Sequence, residues 1–532
     1  MRLPLALALA AGLAGAAHAD RAATLRINLG AQPESLDPTL ATDLVGGVVF
    51  SGIMEGLVDL GEDGKVEPRV AMSWKHNDDY TSWTFTLRPD ARWHNGDTVT
   101  AHDFVYGVRR ILTPSLGAQY ANYVFTFLKD GEAYFKAGGL NGTQPLTSVN
   151  ALDDHTLEYL LANPTPYFPS VLQLSTWLPI HRRTVESVGP GWAGAAETYM
   201  GNGPFRVVSY RQNDKLVAEK AATYWNAEAI HWRFLEFYFI ESESTANQAF
   251  LRGDLDISLT VPLAEIEYWR GRPEYRSWTA YGTYYIGFNG AQPPFNDRRV
   301  RKAFSMALNR RLITTQVTRR NEPVSQGIVP RGGASPRGGD YRDHAGDMVG
   351  RRDVEAAQAL LREAGYDANN PLPALEYIYD TSEQHKLIAE QMQSMWKRAL
   401  GVDVRLQNVE WGVRINRQRL GQYQIVRSGW FGDYIDPLTF LDLFTSNSTH
   451  NTIGFRNRRY DEAVEAARRE RDPIKREDFL ITAERILIEE EAAIAPLYTY
   501  VLPMLVRRDL RGVGRVPTGS LIFIHSRPAS VN

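Results

Sequence analysis

Length without a single cysteine is the feature that most constrains this fold. Across 532 residues there is no cysteine, so no disulfide can staple the chain and its core must come from packing alone. A single hydrophobic core stops growing at roughly 250–300 residues. The chain is therefore expected to divide into several bodies. Its charges nearly cancel, 59 Lys and Arg against 62 Asp and Glu for a formal net charge of −3. That balance gives no electrostatic footprint for nucleic acid or an anionic membrane surface.

The first residues read as an export signal. Arg2 supplies a positive start, and Leu3 to Ala17 is an apolar run dominated by Ala, Leu and Gly. Ala17-His18-Ala19 then places small residues at the two positions a signal peptidase reads. The run is shorter than the about 20 residues a membrane span needs, and no cysteine follows to carry a lipid. Residues 1–19 are read as a signal peptide, with the mature chain starting near Asp20 and exported in soluble form to the periplasm.

Beyond the signal, strand and helix periodicities alternate without an internal repeat. Leu25 to Leu29 and Trp83 to Leu87 alternate apolar and polar residues, the period of half-buried strands. A helix beginning at Asp297 carries Val300, Ala303, Phe304, Ala307 and Leu308 on one stripe. Another begins after Thr381, which has capping-box spacing to Gln384; it buries Ile388, Met392, Met395, Trp396 and Ala399 and stops at Gly401. The strand pattern Val402 to Leu406 follows. A third helix opens at Asp472-Pro473. Such alternation predicts α/β layers with some parallel pairing. The Gly-, Arg- and Asp-rich stretch from Arg331 to Gly350 is read as a surface loop rather than a domain linker.

Motifs for catalysis are missing. There is no phosphate-cradling Gly-x-x-x-x-Gly-Lys run, no His-Glu-x-x-His helix, no Gly-x-Ser-x-Gly elbow and no cysteine nucleophile. Gly201-Asn202-Gly203 lacks the third glycine of a dinucleotide fingerprint, and Pro204 obstructs a following helix. No cofactor and no metal is expected. One dense constellation remains, Arg427-Ser428-Gly429-Trp430-Phe431-Gly432-Asp433-Tyr434-Ile435-Asp436-Pro437. It lies between a strand-like run, Tyr423 to Val426, and a helical pattern, Leu438 to Phe444. Glycines at such a junction permit close backbone approach, and junction loops commonly bind ligands. Trp430 and Tyr434 also read as core residues and Asp436 as a helix cap before Pro437; Asp433 is assigned to function.

Several segments, in order, resemble the bacterial extracellular solute-binding proteins of family 5, closest to the oligopeptide-binding branch. They are Met54 to Val58, Trp83 to Trp93 continuing through Gly96 to Ala101-His102-Asp103-Phe104-Val105-Tyr106, Gly201 to Phe205, Gly253 to Asp256, and Phe295 to Arg301. The resemblance runs from about Leu25 to the C-terminus. It implies an α/β, two-lobed periplasmic-binding-protein fold with an additional inserted domain, hence three domains and a hinged cleft. Mapped here, lobe one would be discontinuous over 20–59, 184–279 and 500–532, the inserted domain 60–183, and lobe two 280–499.

The same resemblance implies a monomeric, non-enzymatic component of an ABC transporter. It would capture short oligopeptides in the cleft and deliver them to an inner-membrane permease, touching the membrane protein only transiently. Asp433, with Trp430 beside it, would receive the peptide ammonium. Arg427 or His385 would meet the carboxylate, with Arg417 and Arg419 near another such position. Tyr285 and Gly429 would line the cleft, and Gly287 stands where the oligopeptide-binding branch carries an acidic residue. Two alternatives stay open: the same fold taking a dipeptide, murein peptide, glutathione, haem or nickel chelate, or a carboxylate-dependent hydrolase. On this reading, N-terminal sequencing of the protein from a periplasmic extract gives Asp20 as the first residue; a membrane-bound product retaining Met1 would contradict it.

Overall fold

The computed structural model describes residues 21–531; the expected signal peptide and the new N-terminus at Asp20 lie outside them. Strand β1 (Thr24–Asn28) is followed by a hairpin of β2 (Val58–Leu60) and β3 (Val66–Pro68). Next, β4 (Ala71–His76), β5 (Ser82–Leu87), β6 (Val149–Asp153) and β7 (Thr156–Leu160) build a four-stranded antiparallel sheet in the order β4-β5-β7-β6. The alternation read in the sequence directs Trp83, Phe85 and Leu87 into its core.

A second, ten-stranded sheet gathers β1 with strands from the rest of the chain. These are β8 (Phe205–Arg211), β9 (Lys215–Lys220), β10 (Phe234–Tyr238), β11 (Ile257–Ser258), β12 (Tyr275–Phe288), β13 (Leu375–Asp380), β14 (Val404–Val409), β15 (Ile425–Phe431) and β16 (Ile494–Val506). Their order is β14-β13-β15-β12-β16-β11-β1-β10-β9-β8. Pairing is mixed: β1 lies parallel to β10 and β11, β13 parallel to β14 and β15, and β12 antiparallel to β15 and β16. The fold is thus α/β with some parallel pairing, as the periodicities imply, and the larger sheet falls into two halves.

Only the long pair β12 and β16 joins those halves. Their register runs from Tyr275↔Leu505 to Gly287↔Ile494, with a break between Thr279 and Thr283. At the break the backbone finds other partners: Tyr281 N donates to Pro517 O (2.6 Å), and Tyr281 O accepts from Gly432 N (2.7 Å). From Gly282 onward β12 gains β15 on its other edge. Positions 279 and 500 therefore fall inside continuous strands at this irregularity.

The helices follow their predicted stripes. Arg298–Met306 is capped by Asp297, whose side chain accepts from Arg299 N, and it buries Val300, Ala303 and Phe304. Glu383–Leu400 buries all five predicted residues and ends at Gly401 in the left-handed region. The two faces meet: Trp396 lies 5.3 Å from Phe304 and donates its Nε1 to Phe304 O at 3.0 Å. The cap of Glu383–Leu400 is Ser382, one residue later than expected. Thr381 instead donates to Asn408 Oδ1 at 2.6 Å, and Gln384 reaches Tyr498 rather than folding back on the helix. Pro473–Arg485 starts as read, with Asp472 capping and Pro473 in the first turn. No described helix is long and apolar enough to cross a membrane.

The stretch from Arg331 to Gly350 is a loop holding one short helix, Tyr341–Ala345. It is anchored by Arg342, whose Nη2 donates to both carboxylate oxygens of the fully buried Glu484 at 2.6 Å. Tyr341 Oη and Val329 N donate to the same carboxylate. Breaking a buried pair leaves an uncompensated charge and costs about 3–5 kcal/mol, whereas replacing both partners with apolar residues is often neutral. Glu484→Ala should therefore lower the urea midpoint sharply, and Glu484→Leu with Arg342→Met should recover most of the loss.

Candidate functional site

The constellation around Asp433 is built on β15, which does not stop at Val426 as the sequence pattern suggests but runs on to Phe431. Residues 427–431 were expected in a junction loop; pairing with β12 over Gly282–Phe288 holds them extended instead. On its other side β15 pairs with β13 only at Ile425 and Val426. From Arg427 onward that edge has no strand partner among the described residues, and it ends one residue before the chain turns at Gly432. Gly429 is required here because an added Cβ would stand 2.1 Å from the Tyr500 hydroxyl. Tyr500 in turn stacks on Phe431 at 4.4 Å.

Opposite charges sit at the two ends of this open edge. At the far end, Asp433 N donates to Thr439 Oγ1 (2.9 Å), and Asp433 O accepts from Gln173 Nε2 (2.8 Å). Its carboxylate accepts one hydrogen bond, from Tyr120 Oη at 3.3 Å. Among the described residues no Lys, Arg or His ion-pairs with it. Burial pushes the carboxyl up from its usual value near 3.8 to about 7, with the Tyr120 hydrogen bond pulling weakly the other way. Burial, then the Asp433 charge, raises Tyr120 and Tyr123 as well. Trp430 rests 5.3 Å from His450 with its indole N–H buried and unpartnered.

At the near end, Arg427 lies over the Tyr284 ring (5.0 Å), 3.4 Å from Asp380 Oδ1 and 3.2 Å from Tyr500 Oη. His385 Nδ1 is 3.2 Å from Asp380 Oδ2, and Arg414 Nε is 3.0 Å from Asp380 Oδ1. Burial alone would raise Asp380, but His385, Arg427 and Arg414 together hold its carboxyl well below the usual range. Burial, followed by Arg427, lowers His385 and keeps it neutral. Burial disfavours the Arg427 charge, yet Tyr500, Tyr284 and Asp380 more than offset it.

The other residues singled out in the sequence divide. Tyr285 is buried beside Ser428 in the strand register and meets Phe444 edge-on at 5.9 Å. Gly287 lets Ile453 and Val426 approach; an added Cβ would be 3.0 Å from each. Arg417 is turned away, to Glu376 (2.6 Å) at the opposite end of β13. Arg419 is exposed and reaches Gln119 at 3.1 Å. Asp436 accepts from Leu438 N and pairs with Arg476 at 2.8 Å, the capping role read for it. Gly201 and Gly203 are packing devices: a Cβ on either would strike the Ile53–Met54 backbone, while Asn202 ties both main-chain groups of Glu55.

Sequence reasoning missed Tyr120, Gln173, Asp380 and Arg414. The first two come from the segment carrying the four-stranded sheet and touch Asp433 only because that segment folds over it. Tyr434 marks the same closure, lying 5.1, 6.0 and 6.3 Å from Tyr167, Phe127 and Tyr123. Asp380 had one legible signal, its place at the end of a strand just before a helix cap.

A strand edge left unpaired by its sheet, with an arginine at one end and at the other an aspartate covered by the segment that carries the four-stranded sheet, suits a solute-binding protein. The chain belongs to the bacterial extracellular solute-binding proteins, family 5, whose family model ("family 5 Middle") matches residues 65–452. It is 34% identical to the dipeptide-binding protein DppE of Bacillus subtilis, covering 93% of this chain and 90% of that one. It is 34% identical to the periplasmic oligopeptide-binding protein OppA of Haemophilus influenzae, covering 91% and 90%. The structure of that OppA in complex with RPPGFSPFR superposes with a TM-score of 0.82 at 32% identity, over 95% of this chain and 100% of the other. The murein tripeptide-binding protein MppA of Escherichia coli gives 0.82 at 33% identity over 95% and 99%, but 0.72 in its unliganded open form at 32% identity over 96% and 99%.

The Asp433 carboxyl has a pH consequence. An unfolded Asp ionises near 3.9, whereas the folded protein holds this proton to about 7. Stability contributed by the retained proton is full below about 4 and is lost as pH rises through 7. The melting temperature of the empty protein should fall over that window, and Asp433→Asn should flatten the fall.

Proposed function

We propose that this chain is the soluble periplasmic capture component of an ABC peptide importer, binding short peptides in extended form without catalysis. The observation that carries this reading is the Asp433 carboxylate, covered by the segment bearing Tyr120 and Gln173 and without a cationic partner among the described residues. An ionised carboxylate buried alone is costly; a peptide ammonium supplies the missing charge. The open edge of β15 then offers main-chain donors and acceptors to an added strand. Arg427 waits at the other end for the carboxylate. A peptide with its ammonium at Asp433 and its carboxylate towards Arg427 runs antiparallel to β15.

Length follows from strand geometry. From Arg427 to Phe431 at about 3.4 Å per residue the edge spans roughly 14–17 Å, which suits peptides of three to five residues better than dipeptides. Affinity drawn from the backbone and termini tolerates many side chains. The lobes, 20–59 with 184–279 and 500–532 against 280–499, would swing about the irregular crossing of β12 and β16, with 60–183 riding on the first. A monomer that closes on its ligand is then presented to the inner-membrane permease.

Calorimetric titration with a mixed tri- to pentapeptide pool tests the reading. Removing one partner of a buried charge pair costs about 3–5 kcal/mol, so Asp433→Ala should weaken binding by on the order of a hundred- to several-thousandfold. Peptides acetylated at the N-terminus should bind the wild type poorly for the same reason. Equal affinity for free and acetylated peptides would refute the assignment.

A further inference from the structure

The cluster at the Arg427 end holds two guanidiniums, those of Arg414 and Arg427, against the single carboxylate of Asp380. Both arginines approach the same oxygen, Oδ1, in different ways. Arg414 Nε pairs with it at 3.0 Å without hydrogen-bond geometry, and Arg427 Nη1 donates to it at 3.4 Å. Arg414 is also anchored through its Nη1. It is buried, donates to Gln418 Oε1 (2.6 Å) one turn along its helix, Trp411–Arg419, and to Arg427 O (3.3 Å). Gln418 is braced in turn by Thr452 at 2.8 Å. Arg427 donates to Asp380 Oδ1 and Tyr500 Oη, and the buried Nε of either arginine has no hydrogen-bond partner among the described residues.

We infer that Arg414 is a positioning residue that takes up the charge of Asp380 and so leaves Arg427 free to receive a ligand carboxylate. The inference rests on the proposed role of Arg427 as the carboxylate seat and adds the group that makes that seat attractive. With His385 neutral, the cluster carries one positive charge more than negative, which a ligand carboxylate would cancel. Without Arg414, Asp380 would turn fully onto Arg427, whose Nη1 already stands within ion-pairing distance. The resulting neutral pair would neither attract an anion nor present a free guanidinium fork. Arg414 has no need to touch the ligand to have this effect.

Charge bookkeeping gives a test that a merely structural role would not pass. Binding of a tri- to pentapeptide library with free C-termini is compared with the same library amidated at the C-terminus, by competition against a labelled library member. The wild type should favour the free acids by at least about thirtyfold. Arg414→Gln should bind acids and amides nearly alike, while its preference for free over N-acetylated peptides, set at Asp433, stays as in the wild type. Arg414→Gln combined with Asp380→Asn removes one charge of each sign and should restore the preference for acids. Arg414→Lys, which keeps the charge, should retain it. If Arg414→Gln still discriminates like the wild type, or the double variant stays indifferent, the inference is overturned. A wild type that binds peptides but ignores amidation would overturn the Arg427 seat together with it.

Discussion

The antiparallel pairing of β12 with β16 is the interaction on which the rest depends. Without it the ten-stranded sheet would be two unconnected sheets, one around β1 and one around β15. Both strands are long enough to serve each half in turn, and both carry the residues that matter on the β15 side. Tyr284 and Tyr285 belong to β12, and Tyr498 and Tyr500 to β16. The break in register between Thr279 and Thr283 interrupts the ladder at the place where one half hands over to the other. A continuous, regular ladder would resist bending there; an interrupted one concentrates flexibility without exposing either core.

Two opposite electrostatic solutions meet on one strand edge. Asp433 is surrounded by tyrosine and glutamine and lacks a countercharge, so burial drives its carboxyl towards the protonated state. Asp380 is buried too, yet His385, Arg427 and Arg414 hold it ionised. The two carboxylates differ in their partners. Under the proposed function an ammonium ligand would complete the first environment and an anionic one would meet the second. A free peptide carries both groups on one extended chain, so the proposal treats the edge between them as a single site.

Much of this was legible in the residues. The helix stripes ending in Trp396 and Phe304, the caps at Asp297 and Asp472 and the strand around Phe85 stand where their periodicity placed them, because such patterns report which face is buried. The errors were local. Ser382 rather than Thr381 caps its helix because Thr381 is claimed by Asn408 on a neighbouring strand. Residues 427–431 form strand rather than loop because β12 pairs with them and Tyr500 fills the space above Gly429.

By itself, the sequence determined the α/β class, the need for several bodies and, through its motifs, the family; it singled out Asp433 and left Arg427, His385, Arg417 and Arg419 open as its counterpart. Those follow from period, length and motif, which are properties of neighbouring residues. Tertiary structure alone decided that Tyr120 and Gln173, some 260 to 313 positions away in the chain, reach Asp433. It also decided that Arg417 faces Glu376 while Arg414, three residues earlier, faces Asp380. On a helix those three residues are most of a turn, about 300°, and no pattern of charges says which side the cleft will be on. Only the docking of that helix against β13 fixes it.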